Sequence, residues 1–182
     1  MINSREKGAR FERTIRDLLD SWWGVKGAFS RTPGSGAFHT TTKGAAGGRL
    51  AQDIASPDGF IFGIEAKKRE KWDLASWLDS DSCPIADWWR QCEHECLPGK
   101  VPLLLFARNN RKILAAFPIG SRPYLVLMLS SEKFRYFTVQ LGHGSTDTSL
   151  IVIDFKTLLR LVPPTVCGKT LEAENADRIG SP

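Results

Sequence analysis

No stretch of this sequence stays apolar for long. The longest apolar runs, over 101–107 and 124–129, fall far short of the roughly 20 residues that a membrane-spanning helix needs. That excludes a helical membrane protein. The opening MINSREKGARFERTIRDLL is charged throughout and lacks the apolar segment of an export signal. Cysteine is scarce: Cys83, Cys92, Cys96 and Cys167 are the four present. With no export signal, the expectation is free thiols in a reducing cytoplasm rather than a disulfide framework. Cys92, His94 and Cys96 fall in a predicted helix where the two thiols share a face and His94 points away. The spacing misses the paired-ligand pattern of structural zinc. Internal repeats, paired zinc ligands and a helix-turn-helix signal are also missing.

What is present is ordinary in bulk and uneven in distribution. Hydrophobic residues make up 42% and charged residues 25% of the chain, as in a soluble globular domain. One domain over 1–162 is expected, with a poorly ordered polar tail over 163–182 after Pro163-Pro164. The net charge is +5, and residues 1–71 carry 13 Lys and Arg against 8 Asp and Glu, while the remainder carries 12 of each. A localised basic region is the footprint of a phosphate-binding face. Its candidate contacts are Lys7, Arg10, Arg31, Lys43, Arg49, Lys68, Arg69 and Lys71.

Phe11, Ile15, Leu18, Leu19 and Trp22 recur at helical spacing, predicting a helix over 4–22 that Gly24 ends. The Gly/Thr/Ser-rich segment 32–49 reads as a long loop. Strands are predicted over 50–55 and 60–68, joined by the turn SPDG. A helix follows over 84–97, then strands over 101–107, 112–117, 124–129, 134–140 and 150–153, and a short helix in DFKTLLRLV. The order predicts an α/β fold with a mixed sheet. The pairs Trp22-Trp23 and Trp88-Trp89 are expected in the core or at a dimer contact rather than as base-stacking platforms.

The stretch SPDGFIFGIEAKKRE poses the functional question. On a strand Ile61, Gly63, Glu65 and Lys67 share one face, and Phe60, Phe62, Ile64 and Ala66 the other. A carboxylate and an ammonium side by side suit phosphodiester hydrolysis, the first holding a divalent cation and the second steadying developing charge. A second carboxylate must lie near. Asp58 is seven residues from Glu65, about 23 Å along an extended strand, so it is a turn residue. A loop of odd length centred on Gly59 instead sets Asp53 opposite Glu65, with Cβ atoms about 5 Å apart.

Asp53 followed by Glu65-Ala66-Lys67 resembles the PD-(D/E)xK nuclease superfamily, with Gln52 in the proline position. More narrowly, Lys7-Gly8, Glu12-Arg13 and Ser35-Gly36 resemble elements of archaeal-type Holliday-junction resolvases. The resemblance covers about residues 5–95. It implies a restriction-endonuclease-like core, a mixed central sheet flanked by helices. It further implies a Mg²⁺ site, with Mn²⁺ as substitute, held by Glu12, Asp53, Glu65 and the Ala66 carbonyl. Ser35 would act at the site and Gln91 would lie nearby. The implied activity is paired nicking of four-way DNA junctions by a homodimer, in the cytoplasm, or that of a host cell for a phage-encoded chain. The late apolar segments 103–106 and 126–129 are the expected dimer surface.

Three other readings stand beside it: a sequence-specific restriction or homing-type enzyme, a generic repair endonuclease of the same fold, and a nucleic-acid-binding module without chemistry. The last gains nothing from two carboxylates on a phosphate-binding face, since they repel the ligand unless a cation intervenes.

Overall fold

The computed structural model describes residues 4–32, 52–75, 83–141 and 148–169. Helix α1 (Ser4–Trp23) buries Phe11, Ile15, Leu19 and Trp23, one residue per turn along a single stripe. Gly24 closes it at φ 78°, its N–H donating to the Asp20 carbonyl. That left-handed backbone conformation is one glycine adopts at little cost.

Two short strands, β1 (Ser30–Arg31) and β2 (Ile54–Ala55), pair antiparallel. The main sheet contains β3 (Phe62–Lys68), β4 (Val101–Ala107), β5 (Leu114–Pro118), β6 (Tyr136–Leu141) and β7 (Thr148–Asp154), in the order β3-β4-β5-β7-β6. β3 and β4 run parallel, while the remaining neighbours are antiparallel. The crossover between β3 and β4 carries helix α2 (Pro84–Glu95), as a parallel connection requires. Helices α3 (Arg122–Leu129) and α4 (Phe155–Leu161) complete the layers, and a 3₁₀ turn spans Pro164–Cys167.

The sheet is covered on both faces. Leu103, Leu105, Phe117, Ile151 and Ile153 pack with α1, α3 and α4 in one cluster. Leu104, Phe106, Ala116, Leu150 and Val152 pack with Ile85, Trp89 and Cys92 of α2 in the other. Burial on both sides explains why β4 reads as the unbroken apolar run VPLLLFA. Trp23, Phe29 and Phe60 meet edge-on at centroid separations of 5.0–5.7 Å, each such pair adding about 1 kcal/mol beyond area burial. All four cysteines are free. Trp23 and Trp89 are buried and Trp22 and Trp88 half-buried, in line with core roles. No helix among the described residues is long and apolar enough to cross a membrane.

Four expectations need correction. The segment expected as a strand over 124–129 is α3. Pro123 at the start of the helix and the buried pair Pro123 and Leu127, four residues apart, favour a turn-by-turn packing that a short apolar run does not reveal. β2 pairs with β1 and not with β3 in a hairpin ladder; just before it, the Asp53 N–H donates to the Ile64 carbonyl of β3 at 3.2 Å. Leu103, Leu104, Leu105 and Phe106 are 0–1% exposed at the centre of the sheet and offer no dimer surface. Order also extends past residue 163: Cys167 is buried, its carbonyl accepts from Ile61 N–H at 3.1 Å, and Gly168 packs against the Gly59 carbonyl. Residues 170–182 lie outside the described residues.

Candidate active site

β3 places its side chains as its two-residue period demands. Phe62 and Ile64 enter the α1-side core, and Gly63, Glu65 and Lys67 face α2. Burying a carboxylate here is possible because the surrounding chain engages it. Lys67 Nζ lies 2.5 Å from Glu65 Oε1. Glu65 is 4% exposed. Burial is the first cause that drives its carboxyl well above the ordinary 4.5, to about 8, followed by the negative charge of Asp53, with Lys67 opposing and Glu95 adding to the rise.

Asp53 approaches from the open edge of β3. Its Oδ2 accepts from Ala66 N–H at 2.9 Å, and its own N–H donates to Ile64. The carbonyl of Ala66 leaves the strand on that same edge, since a strand residue sends its N–H and C=O to one side. The side chain of Asp53 thus bonds the strand that carries Glu65, and Asp53 is not the cross-strand ladder partner expected from the hairpin. The turn that makes this possible is 56–59: Gly59 has φ 79° and Phe60 N–H donates to the Pro57 carbonyl. Asp58 is an exposed turn residue, as expected.

Glu12, 8% exposed on α1, accepts from Nε of Arg31 on β1. This ion pair joins the helix to the segment that leads into residues 33–51. Lys68 Nζ sits 5.7 Å from the Phe11 ring centroid, so the N-terminal half of α1 lies beside the end of β3. Lys7, Arg10, Arg69 and Lys71 are exposed and Arg31 and Lys68 half-buried. Ser35, Lys43 and Arg49 lie outside the described residues. Gln91 is half-buried on α2 and donates to Glu95 Oε1 at 3.0 Å.

Two neighbours escaped the sequence reading. Glu95 was legible only as the residue one helical turn beyond Gln91, and its negative charge adds to the rise of the Glu65 carboxyl. Gln52 lies across Gly63: a Cβ there would sit 2.4 Å from Gln52 Nε2 and 2.7 Å from Cys96 Sγ. Among the described residues the buried Nε2 of Gln52 has no hydrogen-bond partner.

The donor set suits a hard divalent ion. Two buried carboxylates and a carbonyl at one strand edge match an ion that takes oxygen ligands and retains several waters. Burial and, after it, the negative charge of Asp53 raise Glu65, and such an ion would offset both. Among the described residues no three His, Cys, Asp or Glu side chains converge in a metal-holding cluster.

A mixed sheet flanked by helices, carrying Asp53 and the Glu65-Ala66-Lys67 triplet at the edge of its outer strand, defines a nuclease with the restriction-endonuclease-like fold. The chain belongs to the family described as "Phage putative PDDEXK endonuclease", which matches residues 3–167. Nucleases of this kind generally use divalent metals, and DNA is the substrate class the family implies. The chain is also 34% identical over 122 residues to Protein D14 of Escherichia phage T5, covering 63% of this chain and 71% of that protein. No solved structure matches it.

Proposed function

We propose that the protein is a Mg²⁺-dependent, structure-specific endodeoxyribonuclease that resolves four-way junctions by symmetric paired nicks, as a homodimer in the cytoplasm of a phage-infected cell. The observation that carries the metal-dependent chemistry is the buried Asp53–Glu65 pair with Lys67 2.5 Å from Glu65. Asp53, Glu65 and the Ala66 carbonyl would hold the ion, with Glu12 from α1 as a further ligand. When bound, the ion would polarise the scissile phosphate and lower the pKa of an attacking water. Lys67, fixed by its bond to Glu65, sets positive charge beside the phosphate where negative charge builds during attack. Gln91 holds the Glu95 carboxylate beside Glu65. Ser35 is assigned to the same site on the resemblance alone. In-line attack expelling the 3′ oxygen leaves 5′-phosphate and 3′-hydroxyl ends.

Junction resolution rests on the resemblance of Lys7-Gly8 and Glu12-Arg13 to the opening helix of resolvases. Two opposed nicks call for two sites, which a C₂ dimer supplies. Leu125, Met128 and Leu129 on α3 are exposed, Leu129 at 86%, and this face replaces the buried 103–106 segment as the dimer surface. The test is incubation with four-way, nicked, flapped and linear duplex DNA in Mg²⁺, with light scattering in parallel. Paired nicks confined to the junction by a particle of about twice 20.3 kDa are expected. A monomer cutting linear duplex equally well would leave a generic metal-dependent nuclease.

A further inference from the structure

The cations of residues 72–182 look neutralised in the sequence, where they are matched by as many acids. The topology sorts them differently. β3 and β4 end, β5 begins, β7 ends and β6 begins at one end of the sheet, because Lys68 pairs with Ala107, Leu114 with both Phe106 and Asp154, and Tyr136 with Ile153. The connections at that end carry Arg108, Arg111, Lys112, Lys133, Arg135 and Lys156. They extend the row begun by Lys68, Arg69 and Lys71 at the exit of β3. The N-terminal half of α1, with Lys7 and Arg10, reaches the same end through the approach of Phe11 to Lys68. At the opposite end Trp23 meets Phe60.

Three acids of this end are engaged. Glu70 Oε1 accepts from Asn109 N–H at 3.0 Å, Glu132 pairs with Arg160, and Asp154 Oδ2 accepts from Thr157 Oγ1 at 3.0 Å with Lys112 Nζ at 3.9 Å. The two segments nearest the site are tied together. Arg69 N–H donates to the Ala107 carbonyl, and the Arg108 guanidinium lies 4.8 Å from the Trp72 ring centroid while donating to the Trp72 carbonyl. Five strands about 4.8 Å apart make the row about 19 Å wide, wide enough to follow a duplex over several phosphates spaced about 3.4 Å along the axis of each strand.

We infer that this end of the sheet is a DNA-binding face that grips the phosphodiester backbone of a duplex arm leading away from the active site, with the β4–β5 turn (108–113) and the segment before β6 as contacts. The inference rests on the nuclease reading and extends it from the cleaved phosphate to the flanking duplex. Phosphate contacts of this kind position without reading sequence.

The test uses the full chain with Asp53→Asn, so that DNA is bound and not cut, and a fluorescent duplex and four-way junction titrated between 50 and 200 mM salt. Arg111→Ala/Lys112→Ala and Lys133→Ala/Arg135→Ala should each lower the slope of log K against log salt by up to about two, since each lost contact removes about 0.9. Lys26→Ala/Arg122→Ala, which removes equal charge near the opposite end, should leave the slope unchanged. Thermal melts of each variant establish folding. Equal slope changes in all three pairs would reduce the effect to net charge and overturn the inference, as would unchanged slopes in the two sheet-end pairs. An Asp53→Asn protein that binds no DNA at all would instead remove the nuclease reading beneath it.

Discussion

The amide of Ala66 donates to Oδ2 of Asp53 at 2.9 Å, so the strand that carries Glu65 and Lys67 also holds the second carboxylate in place. Asp53 is 9% exposed, and it needs this bond both to be buried and to face Glu65. Asp53→Asn preserves the side-chain oxygen that Ala66 bonds and removes the charge. Cleavage should be abolished in Asp53→Asn and in Glu65→Gln, with DNA affinity kept or increased because a negative charge leaves the phosphate-binding face. Gel assays for cutting and anisotropy for binding separate the two effects, and cleavage surviving in both variants would end the assignment.

Lys67 is expected to act on the transition state more than on affinity. Lys67→Ala should lower turnover by about two to three orders of magnitude, the usual loss of a preorganised electrostatic group. Affinity should change no more than the loss of one phosphate contact. Single-turnover kinetics at saturating DNA provide the comparison. Rate and affinity falling in equal proportion would make Lys67 a phosphate anchor only.

Metal-free stability should depend on pH through Glu65. Its carboxyl rises from 4.5 unfolded to about 8 folded, so between those values the folded protein binds more protons than the unfolded chain. Stability contributed by the protonated carboxyl is complete below 4.5 and is lost as pH rises through about 8. Melting temperatures in EDTA should therefore fall from pH 5 to pH 8.5, and Glu65→Gln should flatten the profile. Because a metal ligand must be deprotonated, added Mg²⁺ should raise the melting point more at pH 8 than at pH 6. A wild-type profile parallel to that of Glu65→Gln would contradict this account.

Gly168 should be intolerant of substitution. It has φ 102°, and a Cβ there would lie 1.9 Å from the Gly59 carbonyl oxygen, in the turn that presents β3. Gly168→Ala adds left-handed strain of about 1–2 kcal/mol to a backbone clash worth about 1–3 kcal/mol. Denaturant unfolding should show a loss of at least 2 kcal/mol, whereas Gly99→Ala, with open space around its Cβ position, should show only the backbone strain.

The local elements were legible because they depend on short-range periods. Two-residue alternation alone sends Glu65 and Lys67 to one face, four-residue spacing draws the buried stripe of α1, and Pro-Asp-Gly forces the turn before β3. Such features follow from bond geometry within a few residues. Where a short apolar run goes depends on what it meets: 122–129 is helical because Pro123 and Leu127 can be buried together, and 103–106 is interior because both faces of the sheet are covered. Strand partners are equally non-local. β2 pairs with β1, and Asp53 meets β3 through bonds to the Ile64 carbonyl and the Ala66 amide that no alternation pattern encodes. The approach of Glu95 to Glu65, and the collection of cations from four connections at one end of the sheet, exist only once strand order is set. Local sterics wrote the strand that carries Glu65 and Lys67 into the sequence; packing between distant segments decided what surrounds it.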